Sequence, residues 1–253
     1  MLKKIISFLL CVIMLLLVWA GFSGCWGNNV IKLGINQYFV PMTYDENGDQ
    51  NYRGYVIEVM TEAAKRMGMK FEASLCTVGQ RSWFMGQGDI NCIWDVHVAD
   101  DFDYTWSDPL FNSSIVCVVP ASSPVQEFAF ENAVLGIRNN SYETQMSSLF
   151  SDRLKSCELN DRNAYPEIFE DLDQGVTSAV IMEKHSAEYF VAKSGGKYRI
   201  LNDSLLDCPY AVGFKLGDTE LCDKFNKAMQ EMQADGTAKT ISEKWFGKDI
   251  TQN

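Results

Sequence analysis

Apolar residues along this chain switch repeatedly between the two-residue repeat of a strand and the three-to-four-residue repeat of a helix, and this switching limits the fold more than any other feature. Ile31, Leu33 and Ile35 alternate, and Val56, Val59, Met60, Ala63, Ala64 and Met67 then form a helical stripe that Gly68 ends. Strands are predicted over residues 71–75 and 90–94, with a short helix near 82–85 between them. A second set comes after Pro120: a strand over 134–137, a helix around 143–150, a strand over 156–159, a helix over 164–173 stopped by Gly175, and a strand over 178–182. This order implies an α/β protein whose parallel sheets carry helices on both faces. Apolar runs at 116–119 and 210–214 are placed to carry the backbone twice between the two sets, as hinge strands. The expected division is one lobe from residues 30–115 plus 212–253 and a second from 116–211. Ligands of such sheets bind beyond the carboxyl ends of the strands, so the strand-to-helix loops are where binding residues are sought.

The two ends of the chain add detail. After the run at 210–214, Gly217 makes a turn and Asp218 is placed as an N-cap, with Glu220 in the first turn where the helix dipole favours an acid. Leu221, Phe225, Ala228, Met229 and Met232 come next at helical spacing, Gly236 ends that helix, and a second one precedes Gly247. At the other end, Lys3 and Lys4 precede an apolar run from Ile5 to about Ala20, too short for a comfortable membrane span with its own anchors. The run leads into Phe22, Ser23, Gly24 and Cys25, which resembles a lipoprotein signal. That resemblance implies a signal peptide over residues 1–24, lipidation at Cys25, and a short anchored linker over 25–29. Two acyl chains are enough for stable anchoring. An uncleaved N-terminal membrane helix is the other reading, and either one puts the rest of the chain outside the cytoplasmic membrane.

Composition bounds the remainder of the chain. Hydrophobic residues make up 47% of the sequence and charged residues 22%, enough apolar material for two modest lobes. Without Lys3 and Lys4 the chain has 20 basic against 33 acidic residues. So acidic a surface, with no basic patch interleaved with aromatics, argues against nucleic acid as a partner. Besides Cys25, residues 25–253 hold Cys76, Cys92, Cys117, Cys157, Cys208 and Cys222. An even number outside the cytoplasm permits disulfides, but Cys92 and Cys117 lie in apolar strand-like runs, where cysteine is commonly a buried small hydrophobe. Mostly free, buried thiols are expected. His97 and His185 stand alone and no CxxC occurs, so neither a metal site nor a cofactor is expected.

From Tyr210 to Gly247 the order and identity of residues resemble the C-terminal signature of extracellular solute-binding proteins of family 3, the amino-acid-type receptors that feed ABC importers. The resemblance implies a type II periplasmic-binding-protein fold, an interlobe cleft for a small polar solute, and a permease as partner of a monomeric receptor. The segment from Gly34 to Tyr44 resembles the family's opening loop, with Asn36 where an acid is common, Phe39 where an aromatic packs on the ligand, and Tyr38 beside it. Gly54, Tyr55 and Val56 stand for the family's Gly-Phe-Asp without its acid, and Glu58 comes shortly after.

The carboxylate subsite departs from the pattern. The family places a threonine and then an arginine after a strand ending in small residues, and the arginine grips the ligand carboxylate in bidentate fashion. Here Trp94 and Asp95 occupy that strand end, Val98 sits near the threonine position, and no arginine lies between Arg81 and Arg138. A carboxylate removed from water needs a cation or several donors. Either Arg81 or Arg138 substitutes, or the ligand has no carboxylate there and Asp95, Asp100, Asp101 and Asp103 make the cleft mouth anionic and favour a cation. In the second set, the residues from Leu135 to Ser141 resemble the family's Val-Gly-Val-x-x-Gly-Thr loop, which places Arg138 and Ser141 on the ligand. Glu183 stands where a strand-ending aspartate accepts from a ligand ammonium. The expected ligand-binding set is thus Asn36, Tyr38, Phe39, Arg81, Trp94, Asp95, Arg138, Ser141 and Glu183, with no catalytic residue. Three other classes share the fold or the anchor. A dehydratase needs a positioned acid or base, a membrane-kinase sensor is expected to continue beyond Asn253 into a transmembrane helix, and a structural or adhesive lipoprotein with a degenerate cleft binds no solute.

Overall fold

The computed structural model describes residues 29–36, 38–45, 48–96, 103–139 and 141–251. The signal segment and Cys25 lie outside these residues, as do His97, Val98, Asp100, Asp101 and Asn140. Ile31 to Asn253 make up one compact unit.

Alternation in β1 (Val30–Ile35) buries Ile31, Leu33 and Ile35 on one face, and the strand pairs in parallel with β5 (Cys92–Val96), Leu33 opposite Cys92. Every residue of β5 is buried, as expected of a strand covered on both faces. Beside β1 runs β4 (Lys70–Leu75). A second parallel set consists of β8 (Val134–Arg138) between β9 (Glu158–Arg162) and β10 (Ala179–Glu183). Two long strands join the sets: β7 (Phe111–Pro120) and β11 (Tyr198–Lys215) pair antiparallel with each other from Tyr198 opposite Pro120 to Tyr210 opposite Phe111. On its other side β11 pairs antiparallel with β5, and β7 does so with β10. One nine-stranded sheet results, in the order β4, β1, β5, β11, β7, β10, β8, β9, with β6 (Tyr104–Trp106) also paired to β11. The strands β2 (Tyr38–Phe39) and β3 (Thr43–Tyr44) make a separate small hairpin.

Helices cover the faces that these strands leave apolar. In α1 (Tyr55–Arg66) the buried residues Tyr55, Val56, Val59, Met60, Ala63 and Ala64 form one stripe. The short α2 (Arg81–Gln87) comes after a 3-10 turn in which the Gln80 side chain accepts from the Thr77 amide and hydroxyl. The second set carries α3 (Tyr142–Met146), α4 (Ser151–Leu154), α5 (Tyr165–Asp173) and α6 (Lys184–Lys193). The chain then closes with α7 (Thr219–Ala234), capped by Asp218 through the Leu221 amide, and α8 (Thr237–Phe246).

The helix α6, the strand β6 and the β2–β3 hairpin have no counterpart in the sequence expectation, and three further elements differ from it. The single helix around 143–150 is broken by a 3-10 turn at Ser147–Phe150, where the Ser147 hydroxyl bonds back to the Thr144 carbonyl at 2.7 Å and competes with the helical ladder. The strand expected over 156–159 lies instead at Glu158–Arg162, because register with β8 rather than apolar content selects it, and four of its five residues are polar. The strand expected over 210–214 begins twelve residues before Tyr210 and ends at Lys215, since its first part, with polar residues between its apolar ones, is held in the ladder with β7. The six described cysteines are free thiols and all but Cys157 are buried; burial pushes the Cys92 and Cys117 thiols far up from their ordinary value.

The N-terminus of α1 shows how close packing fixes one residue. No side chain caps it; the Tyr55 and Val56 amides donate to the Pro41 and Met42 carbonyls at 3.0 and 3.1 Å. That approach needs Gly54, whose φ is 128° and whose missing Cβ would sit 2.2 Å from the Met42 oxygen. Gly68, also at positive φ (67°), has open space around it. We expect Gly68→Ala to cost about 1–2 kcal/mol from left-handed backbone alone. Gly54→Ala should cost about 3 kcal/mol or more, because a backbone clash is added. Urea unfolding of the two variants checks the ordering.

Candidate functional site

The carboxyl ends of β1, β5 and β8 converge with the β2–β3 hairpin and the start of α2 on a cavity holding about 330 Å³ of empty space, part of it open to solvent. Its lining is Ile35, Asn36, Phe39, Thr43, Arg81, Trp94, Asp95 and Arg138. The sheet delivers these residues for simple reasons. Asn36 comes directly after the last residue of β1, Trp94 and Asp95 end the buried run of β5, and Arg138 is the last residue of β8. The Thr43 hydroxyl donates to the Asn36 carbonyl at 2.7 Å, tying the hairpin back to β1 and setting Phe39 over the cavity.

Charge is unusually deep here. Arg81 and Asp95, each under a tenth exposed, are in direct contact through Nη1 and Oδ2, and Asp95 Oδ1 accepts the Val96 amide at 2.8 Å. Arg138 is 1% exposed and lies beside two rings, its guanidinium carbon 5.0 Å from the centroids of both Phe39 and Tyr165. Its Nη2 is 3.4 Å from Glu143 Oε2. Glu143 is fully buried, and its Oε1 accepts from the Tyr165 hydroxyl at 2.6 Å and the Glu183 amide at 3.3 Å. Burial alone would lower the Arg138 pKa, but Tyr165 and Glu143 outweigh it and hold the guanidinium above its ordinary value. Burial likewise works to raise Glu143, and Arg138 with the hydrogen bonds outweighs it, so the carboxylate stays below its ordinary value. Both groups are therefore charged at neutral pH.

Two buried donors at this site lack an acceptor: Arg138 Nε and Trp94 Nε1. Trp94 stacks on Tyr210 at 6.2 Å, and Phe39 also meets Tyr210, at 6.3 Å, so the aromatic wall is continuous.

Of the nine residues expected from the sequence, the structure brings Asn36, Phe39, Arg81, Trp94, Asp95 and Arg138 to one lining. Tyr38 belongs to β2 beside Phe39, and its side chain lies outside the described set. Ser141 is not on the lining; it is the N-cap of α3, accepting from the Thr144 amide and donating to the Arg138 carbonyl, which fixes the loop that carries Arg138. Glu183 also stands off this lining. It is fully buried, and its carboxylate caps α6 by accepting the His185 and Ser186 amides at 2.9 and 2.7 Å and also accepts from the Ser113 hydroxyl. A carboxylate so placed satisfies the orphan amides of a helix. Sequence reasoning missed Ile35 and Thr43 as lining, and Glu143 and Tyr165 as the partners of Arg138. Glu143 had one available signal: an arginine five residues upstream across a turn. Among the described residues no group of three or more His, Cys, Asp or Glu could hold a metal ion, and no helix is long and apolar enough to cross a membrane.

A sheet with cavity-lining residues at its strand ends, crossed by two long antiparallel strands, defines a solute-binding fold of the type II periplasmic class. The family model of bacterial extracellular solute-binding proteins, family 3, matches residues 31–248, and the chain belongs to that family. The L-cystine-binding protein TcyA of Bacillus subtilis (strain 168) is 26% identical over 235 residues, covering 88% of this chain and 83% of the relative. Among solved structures, the substrate-binding protein of an ABC uptake transporter from Streptococcus pneumoniae with bound histidine superposes with a TM-score of 0.80 at 22% identity, over 89% of this chain and 96% of that one. Tv2483 bound to L-arginine gives a TM-score of 0.78 at 20% identity, over 89% and 93%.

The buried ion pair gives a test of the geometry. Glu143→Gln leaves Arg138 without its counter-charge and is expected to cost about 3–5 kcal/mol at pH 7. Because the folded pKa of Glu143 is depressed, its stabilisation is complete above its ordinary 4.5 and fades as the pH falls below that value. The gap between wild type and variant should therefore narrow on acidification, as read by denaturant unfolding at pH 7 and at lower pH. A constant gap would mean that Glu143 is not ionised in the folded protein.

Proposed function

We propose that this protein is a monomeric, lipid-anchored receptor outside the cytoplasmic membrane that captures a small zwitterionic amino acid in this cavity and presents it to an ABC-transporter permease. The observation that carries the reading is a cavity whose lining holds buried charges of both signs, Arg81 and Arg138 with Asp95, against an aromatic wall. A zwitterion offers an opposite charge to each sign on this lining, whereas a ligand of one sign would bring an unpaired charge of its own out of water. Names of similar proteins agree in class: one is an L-cystine-binding protein, and others were solved with histidine and with L-arginine.

In this reading residues 30–115 plus 212–253 form one lobe and 116–211 the other, and the β7–β11 pair carries the hinge. Phe39 and Arg138 then face each other from opposite lobes, so their stacking forms only on closure. Moving a population from mostly open to mostly closed takes about 5.5 kcal/mol of differential binding. Two or three charge-assisted contacts at roughly 1.5–3 kcal/mol each supply it. No cofactor takes part. Catalysis on the same fold would need a free acid or base beside the solute, whereas the nearby carboxylates of Glu143 and Glu183 are committed to Arg138, Tyr165 and the α6 amides.

Calorimetric titration of residues 25–253 with the proteinogenic amino acids and L-cystine should find at least one ligand with Kd of about 1 μM, or roughly 8 kcal/mol, or tighter. Binding of none would favour a ligand-free structural or adhesive lipoprotein. Separately, Cys25→Ala in the full chain is expected to move the protein from the membrane to the soluble fraction or leave it with an uncleaved leader, as read by fractionation and intact mass. An unchanged, cleaved membrane-bound product would remove the lipid anchor.

A further inference from the structure

Resting on the receptor reading, we propose that the bound amino acid lies with its carboxylate on Arg138 and its ammonium on Asp95, which makes Arg138 the specificity-determining cation of the site. The polarity is then opposite to the one the family resemblance implies, in which the strand ending at Glu183 would hold the ammonium.

Four features of the structure lead there. Glu183 does not border the cavity, and its carboxylate already accepts from two helix-capping amides and the Ser113 hydroxyl. Arg138 does border it. Its guanidinium carbon is 5.0 Å from both the Phe39 and Tyr165 ring centroids, and a guanidinium donates only in its own plane; Nη2 is 3.4 Å from Glu143, and Nε has no partner. Trp94 Nε1 at the same lining is a second buried donor without an acceptor. Both donors call for an acceptor, and a carboxylate with its two oxygens is the amino-acid group that meets them.

Arg81 is the rival cation, but it already touches Asp95. A ligand carboxylate brought to Arg81 would lie against the Asp95 carboxylate, whereas an ammonium there is attracted by it. Asp95 has room for one: it accepts from Arg81 and from the Val96 amide, two of roughly four acceptor positions that a carboxylate offers.

The test compares an amino acid with the same molecule lacking its carboxylate. The probes are L-arginine with agmatine, L-histidine with histamine, and L-cystine with cystamine, using whichever of the three amino acids binds the wild type. Arg138→Gln alone strands Glu143 in the interior, so the variant is Arg138→Gln with Glu143→Gln, which keeps the interior neutral. Calorimetry should show the amino acid weakened by about tenfold or more and the amine changed by less than about threefold. Equal losses for both probes would overturn the assignment. If the double variant does not fold, a crystal structure of the wild type with the binding amino acid decides instead. A carboxylate within hydrogen-bonding distance of Arg138 supports the proposal, and one on Arg81 overturns it. Failure of all three amino acids to bind the wild type would overturn the inference together with the L-cystine, L-arginine and L-histidine versions of the receptor reading; binding with the opposite pattern would overturn the inference alone.

Discussion

The ladder between β7 and β11 is the interaction on which the other parts depend. Among the described residues, no other pairing in the sheet connects the two parallel sets: β5 reaches the second set only through β11, and β10 reaches the first only through β7. The backbone therefore passes between the sets inside hydrogen-bonded strands, not through loose loops. The register slips between Ile200 and Leu206 interrupt the ladder near the middle of β11. Irregularities of this kind bend and twist a strand locally. Because Phe111 and Tyr210 are opposed at the far end of the ladder, their stacked rings, 5.1 Å apart, carry it into the aromatic cluster behind the cavity. Pairing, packing and cavity wall are thus one continuous structure.

Placing guanidinium groups at the strand ends creates an electrostatic problem that the protein solves locally. A bare cation out of water is costly by several kcal/mol even after relaxation. Each arginine of the cavity has its own carboxylate, Asp95 for Arg81 and Glu143 for Arg138, and Glu143 is further held by Tyr165. The two solutions differ in geometry. Arg81 and Asp95 are both on the lining, so both members of that pair border the cavity. Glu143 is not on it, so only the cation of the second pair does. The cavity consequently has a mixed pole and a positive pole, although the charges that build it balance.

The legibility of each feature in the sequence depends on what stabilises it. Helices and strands with one buried face declare themselves through spacing, as Val56 to Ala64 and Ile31 to Ile35 do. Strands stabilised by their partners alone leave no such mark: β9 is polar, and the first half of β11 is recognised only once β7 is beside it. The helix α6 hid for the opposite reason, since its buried residues include His185 and Ser186 rather than a run of aliphatics. At the site, residues at strand ends were legible because topology alone puts them near one another. Glu183 also sits at a strand end, but the immediate start of α6 at Lys184 engages its carboxylate with that helix's amides. Linear sequence contains no direct record of that engagement.

Where the family resemblance expects an arginine after β5 this chain has none, and Glu183 is engaged with the amides of α6. Among the described lining residues Asp95 is the one acid, and Arg81 and Arg138 are the cations. Arg138 needs more than a vacant position, however. It needs the rings of Phe39 and Tyr165 beside it and an anion behind it, provided by Glu143, whose second oxygen is held by the Tyr165 hydroxyl. Four residues from three separate stretches of chain thus pack as one unit, which is why substitution of any one of them should alter how the others are held.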